Sequence, residues 1–103
     1  MKQHITPSQA LEITEEQFYS LFDEIVRRKD WANFHHKKVT IGKCIEILER
    51  KYYFVSFRML RDLTQPNEKI CLHLWPNAMS DEHSQIWGAE VIDALWQAVK
   101  EIL

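Results

Sequence analysis

Tyr52-Tyr53-Phe54-Val55-Ser56-Phe57-Arg58-Met59-Leu60 is the stretch whose reading decides the fold class. Tyr53, Val55, Phe57 and Met59 alternate with Phe54, Ser56, Arg58 and Leu60, and aromatic and β-branched residues dominate, which is the signature of a strand. The competing reading carries a preceding helix on through Leu63, because Leu48, Tyr52, Val55 and Met59 also fall on a helical stripe. The next apolar run favours the strand. Ile70, Leu72 and Leu74 alternate with Cys71, His73 and Trp75, and Thr64-Gln65-Pro66-Asn67 between the two runs has turn chemistry. A β-hairpin over the two runs is therefore expected, with the helix through Leu63 as the open alternative.

Upstream, Thr6-Pro7-Ser8-Gln9 and Thr14-Glu15-Glu16-Gln17 both read as capping boxes, in which a threonine and a glutamine three residues later satisfy each other's backbone donors. The first starts a short turn. After the second, Phe18, Leu21, Phe22, Ile25 and Val26 recur at helical steps, with Asp23 to Arg27 and Glu24 to Arg28 as ion pairs on its polar face. Residues Trp31 to Lys38 read as a loop. Thr40 then caps a helix striped by Ile41, Cys44, Ile45, Leu48 and Tyr52.

Downstream, Pro76-Asn77 ends the second apolar run, and Ser80, Asp81 and Glu82 read as a new helical start. In the last helix Glu90, Asp93, Gln97, Lys100 and Glu101 share one polar sector, and the apolar remainder spans about 200°, twice the stripe of about 100° that one core requires. The favoured reading is a central helix packed on two sides. The alternative is a partner surface with Trp96 at its edge. Gly42 falls in the first turn of the Thr40 helix and Gly88 in the early part of the last. The latter is the better candidate for a close backbone approach. The expected fold is a single compact α+β domain over residues 1–103, in which two N-terminal helices and a long C-terminal helix pack with a β-hairpin.

The 103 residues, 46% of them hydrophobic, suffice for one core. Two glycines, against about seven at average usage, cannot build a phosphate loop or a dinucleotide fingerprint. Two cysteines cannot form a four-cysteine zinc site or a disulfide framework. A formal charge of −2 favours no class of partner. The polar start Met1-Lys2-Gln3-His4 has no secretory character and no apolar run is long enough to cross a bilayer, so a cytoplasmic protein with reduced thiols and no membrane association is expected.

One segment is basic and aromatic together: Arg27, Arg28, Lys29, Trp31, Phe34, His35, His36, Lys37 and Lys38. From Arg27 to Lys38 five Lys and Arg face one Asp, so this stretch carries +4 and the rest of the chain −6. Basic groups beside exposed aromatics suit phosphate neutralisation and base stacking. The plainer reading is a helix C-terminus that favours cations, then a solvated loop with Trp31 and Phe34 turned inward. A nucleic-acid role is disfavoured by the net negative charge, and a helix-turn-helix by the length of the gap before Thr40. The metal donors His35, His36, Cys44, Cys71, His73 and His83 follow no ligand spacing, so neither metal nor cofactor is expected. No nucleophile elbow or HExxH pattern is present, and His35 and His36 stand as the only general-base candidates, so a histidine-dependent enzyme ranks last.

Glu15 to Phe22, Val39 to Leu48 and Asp93 to Lys100 resemble small uncharacterised proteins encoded by phages and prophages of Gram-positive bacteria. The resemblance implies a mobile-element origin and a host cytoplasm, and it transfers no active site. Together these readings point to a small non-enzymatic accessory protein that acts by binding a protein partner or by self-association through the C-terminal helix. Its candidate surfaces are Trp96 with the broad face of that helix, and the segment from Arg27 to Lys38.

Overall fold

The computed structural model describes residues 2–59, 70–76 and 84–103. Its elements run α1 (Pro7–Ala10), α2 (Glu15–Ser20), α3 (Trp31–His35), a 3-10 turn (His36–Lys38), α4 (Ile41–Glu49), β1 (Phe54–Met59), β2 (Ile70–Trp75), β3 (Ser84–Gly88) and α5 (Val91–Ile102). The strands form an antiparallel sheet in the order β1-β2-β3, and α5 packs on it, so the protein is an α+β domain.

Both capping boxes form. The Thr6 and Thr14 hydroxyls accept from the Gln9 and Gln17 amides at 3.1 Å, and each glutamine side chain accepts in return from the threonine amide. Thr40 likewise caps α4 through the Lys43 amide. α4 stops at Glu49, and β1 begins at Phe54, which excludes a helix continued through Leu63. The expected turn at residues 64–67 and the helical start at residues 80–82 lie outside the described residues.

Three expectations are corrected. The helix after Thr14 ends at Ser20 rather than running through Val26. Ser20 Oγ donates to the Gln17 carbonyl at 2.6 Å, which competes with the helical ladder, and the residues beyond it are poor helix material. Asp23 and Glu24 would sit toward the negative end of the dipole, and Ile25-Val26 is a β-branched pair. Residues 31–38, expected as a loop, form α3 and the 3-10 turn. The hairpin has a third strand, Ser84–Gly88, where a helix was expected. Ile86 faces Leu72 across it, and Gly88 closes the strand instead of lying inside the last helix.

Cross-strand partners share a face. Val55, Leu72, Leu74 and Ile86 belong to the core side, whereas Phe54, Cys71, His73, Trp75, Gln85 and Trp87 stand on the other. α5 fills the core side with Ile92, Ala94, Leu95, Ala98 and Val99, all at most 1% exposed. Its closest seat is Gly88, where a Cβ atom would lie 2.8 Å from the Ala94 amide nitrogen. The rest of the apolar arc meets α4 and the N-terminal segment. Trp96, 1% exposed, donates from Nε1 to the Glu12 carboxylate at 2.9 Å and to the Gln9 carbonyl at 3.2 Å. α5 is thus the central helix, wrapped on two sides.

Residues near the N-terminus also tie the two ends of the chain together. The Ile5 amide donates to the Val39 carbonyl at 3.1 Å and the Ile41 amide to the Gln3 carbonyl at 3.2 Å. Lys2 pairs with Asp93 at 2.8 Å while its amide reaches the Glu90 carboxylate at 3.0 Å. Glu90 is the N-cap of α5 but makes no side-chain cap bond, because its carboxylate is used by this strap.

Candidate functional site

The segment from Arg27 to Lys38 divides into a buried side and an exposed side. Trp31 and His35 stand four residues apart on α3 and point into the core, at 9% and 1% exposure. Trp31 packs against Phe18 at 4.8 Å between ring centroids. His35 Nε2 lies 2.7 Å from the Val26 carbonyl, which can only accept, so Nε2 carries a proton and donates it. Nδ1 is buried without a hydrogen-bond partner. A ring so enclosed and so oriented is a structural pin for the backbone at Val26, and no substrate reaches it.

Phe34, Lys37 and Lys38 lie on the exposed side, three and four residues apart along α3 and the 3-10 turn, and so share one face. Phe34 is 50% exposed, and the Arg28 guanidinium sits over its ring at 3.8 Å. Arg28 reaches it because the chain folds back at this point. Tyr19 Oη accepts from the Arg28 amide at 2.8 Å and donates to the Arg28 carbonyl at 3.2 Å. Arg27 is occupied differently, bonding Glu16 at 2.7 Å and lying over the Tyr19 ring at 4.7 Å. The expected pairs Asp23 to Arg27 and Glu24 to Arg28 do not form, since no helix spans them. The hydrogen bond from Arg27, and then its charge, hold the Glu16 carboxyl below its ordinary pKa.

His36 is half-buried. Its Nδ1 donates to the Ala32 and Asn33 carbonyls at 3.0 Å, and its ring meets that of His4 edge-on at 5.5 Å. Lys29, Lys37 and Lys38 are exposed and have no carboxylate partner among the described residues. The sequence candidates therefore separate: Arg28 and Phe34 meet at the surface with Lys37 and Lys38 exposed one turn on, Trp31, His35 and Trp96 are core residues, and Arg27 is spent on an ion pair.

Of the candidate metal donors, Cys44 is fully buried, and desolvation pushes its thiol up to about 12. Cys71 and His73 share the outer face of β2, and among the described residues no group of three His, Cys, Asp or Glu could hold a metal ion. His83 lies outside the described residues.

The sheet carries a second surface that sequence reading did not single out. On its outer face Phe54 is 53% exposed and Trp87 37%, and Tyr53, just before β1, is 68% exposed. Phe54 packs on Trp75 at 5.3 Å, and Trp75 stacks on His73 at 5.6 Å. The alternation that predicted the strands already divided these residues into two faces. What it could not show was which face a helix would cover.

No family model, curated protein or solved structure matches the chain. The class that the fold defines is an α+β domain with a helix-backed antiparallel sheet. Among the described residues no helix is long and apolar enough to cross a membrane.

Proposed function

We propose that the protein is a small non-enzymatic accessory protein, of the phage and prophage kind its capped helices resemble, and that it acts by binding a protein partner. The observation that carries this reading is the aromatic outer face of the sheet. On that face Phe54 and Trp87 stay exposed, as does Tyr53 just before β1, while every large apolar residue described on α5, apart from the C-terminal turn, is drawn inside. Aromatic residues are enriched at protein–protein interfaces, and contiguous exposed apolar surface marks interaction sites. Among the outward positions whose side chains are described, Phe54, Ser56, His73, Trp75, Gln85 and Trp87 include no carboxylate, Lys or Arg, which suits an apolar protein surface better than a phosphate backbone. Self-association through α5 loses its support, because the wide apolar arc is consumed within the domain.

The test is a Tyr53→Ser/Phe54→Ser variant compared with wild type in affinity capture from a bacterial host. A protein held by wild type and by K37E/K38E but lost by the sheet variant, with unchanged melting, supports the reading. Equal retention by both variants would sink it.

A further inference from the structure

Phe34, Arg28, Lys37 and Lys38 form a surface distinct from the sheet, and its chemistry differs. Lys29 stands beside it in sequence, and Asp30 is the single acid between Arg27 and Lys38. The segment carries +4 on a chain of net −2; Arg27 is paired with Glu16, but its lysines are not neutralised by carboxylates among the described residues. An uncompensated cluster of this kind draws an anion.

The arrangement of Arg28 narrows the choice of anion. Its guanidinium carbon lies over the Phe34 ring, 3.8 Å from the centroid, with no acid paired to it among the described residues, and its backbone is fixed on both sides by the Tyr19 hydroxyl. A planar cation with an aromatic ring on one side has its other side left for stacking. Nucleobases use guanidinium planes in this way, whereas a carboxylate approaches a guanidinium at its edge and gains nothing from the ring beneath. Lys37 and Lys38, one turn further along the same face, are placed for the flanking phosphates. A base must be free of its duplex to reach such a platform.

We infer that this patch binds single-stranded nucleic acid without sequence preference, one base stacking on Arg28 and Phe34 while Lys37, Lys38 and Lys29 neutralise adjacent phosphates. The surface is small and the contact correspondingly weak. It is independent of the sheet face and stands or falls separately from the protein-binding reading.

Fluorescence anisotropy of the full chain with a labelled oligothymidylate tests it. With three or four phosphates neutralised, log K should fall against log salt with a slope of about −2 to −3, from about −0.7 per contact on single strands. K37E/K38E should weaken binding by tenfold or more and flatten the slope. Phe34→Ala should weaken it about tenfold with the slope unchanged, because it removes stacking and not charge. All three side chains are exposed, so circular dichroism melts should match wild type. Absent binding at low salt, equal affinity for a duplex of the same length, or an unaltered affinity in Phe34→Ala would each overturn the assignment. So would equally tight binding of polyglutamate, which would point to an acidic protein segment instead.

Discussion

Two stretches of this chain carry the same helical grammar and end differently. Phe18 to Val26 and Val91 to Ile102 both repeat apolar residues at three- and four-residue steps, yet the first yields six helical residues ending at Ser20 and the second a full twelve-residue helix. The difference lies in what competes for the backbone. Around α5 the sheet, α4 and the N-terminal segment offer apolar surface on two sides, and burying each large side chain there contributes roughly 1.5–3 kcal/mol. After Ser20 the competitors are polar and aimed at the main chain. Tyr19 takes the amide and carbonyl of Arg28, and His35 takes the carbonyl of Val26. A helix through Arg28 would use those groups internally and would leave Trp31 unable to turn back onto Phe18. Periodicity names a face that wants burial, and the partners available decide whether the intervening backbone stays helical.

The largest effect should come from spoiling the seat of α5. Gly88→Val places a branched side chain where even a single Cβ lies 2.8 Å from backbone at Ala94, so β3 and α5 must part. Overpacking typically costs 1–3 kcal/mol, and here the obstacle is main chain rather than a yielding side chain, so a loss of at least about 3 kcal/mol is expected. Urea denaturation followed by tryptophan fluorescence reads it. A midpoint within error of wild type would mean that α5 is not held against the sheet at this point.

Tyr19→Phe acts on the other stretch and should cost less. It keeps the ring, and with it the packing on Phe18 and Trp31, and deletes the hydroxyl that serves both backbone groups of Arg28. A net loss of about 1–2 kcal/mol is expected, with faster amide exchange at Arg28 and none at Leu95. Should the variant instead recover helix through Val26, seen as a gain in helical circular dichroism, the competition between hydroxyl and helix would be shown directly.

The two stretches also explain how far the sequence was legible. The capping boxes, the strands β1 and β2 and the central position of α5 could be read because each depends on residues near in sequence or on a broad apolar arc. Gly88 was singled out for close packing, correctly, though it was placed in a helix, since a glycine's lack of Cβ signals approach without saying from which element. β3 was missed because it is short, and Ser84-Gln85-Ile86-Trp87-Gly88 offers only one inward apolar residue before its glycine. α3 was missed because no side chain caps it: Asp30 stands at its N-cap but makes no side-chain cap bond. In the basic segment, composition identified the charge but not its division. The fold back at Arg28, fixed by a tyrosine nine residues away, is what layers one arginine on Phe34 and sends the other to Glu16.

That last ion pair gives the smallest expected effect, and it discriminates between two ways of holding the segment. Glu16 and Arg27 connect α2 to the non-helical stretch across eleven positions, at 2.7 Å, but both are well exposed. Exposed pairs contribute little, since solvent screens the charges and two long side chains must be immobilised. If backbone capture by Tyr19 and His35 is what positions residues 21–30, Glu16→Gln should leave the melting temperature unchanged at neutral pH. The Glu16 carboxyl is lowered in the folded state, so any stability it contributes is present above the ordinary glutamate pKa and fades as pH falls through the lowered value. An NMR titration of wild type should accordingly find Glu16 losing its charge below the ordinary glutamate pKa. A clear drop in neutral-pH stability for Glu16→Gln, rivalling that of Tyr19→Phe, would reverse the ranking. It would make the surface pair, rather than the buried hydroxyl and imidazole, the tether that keeps this stretch from following α5 into a longer helix.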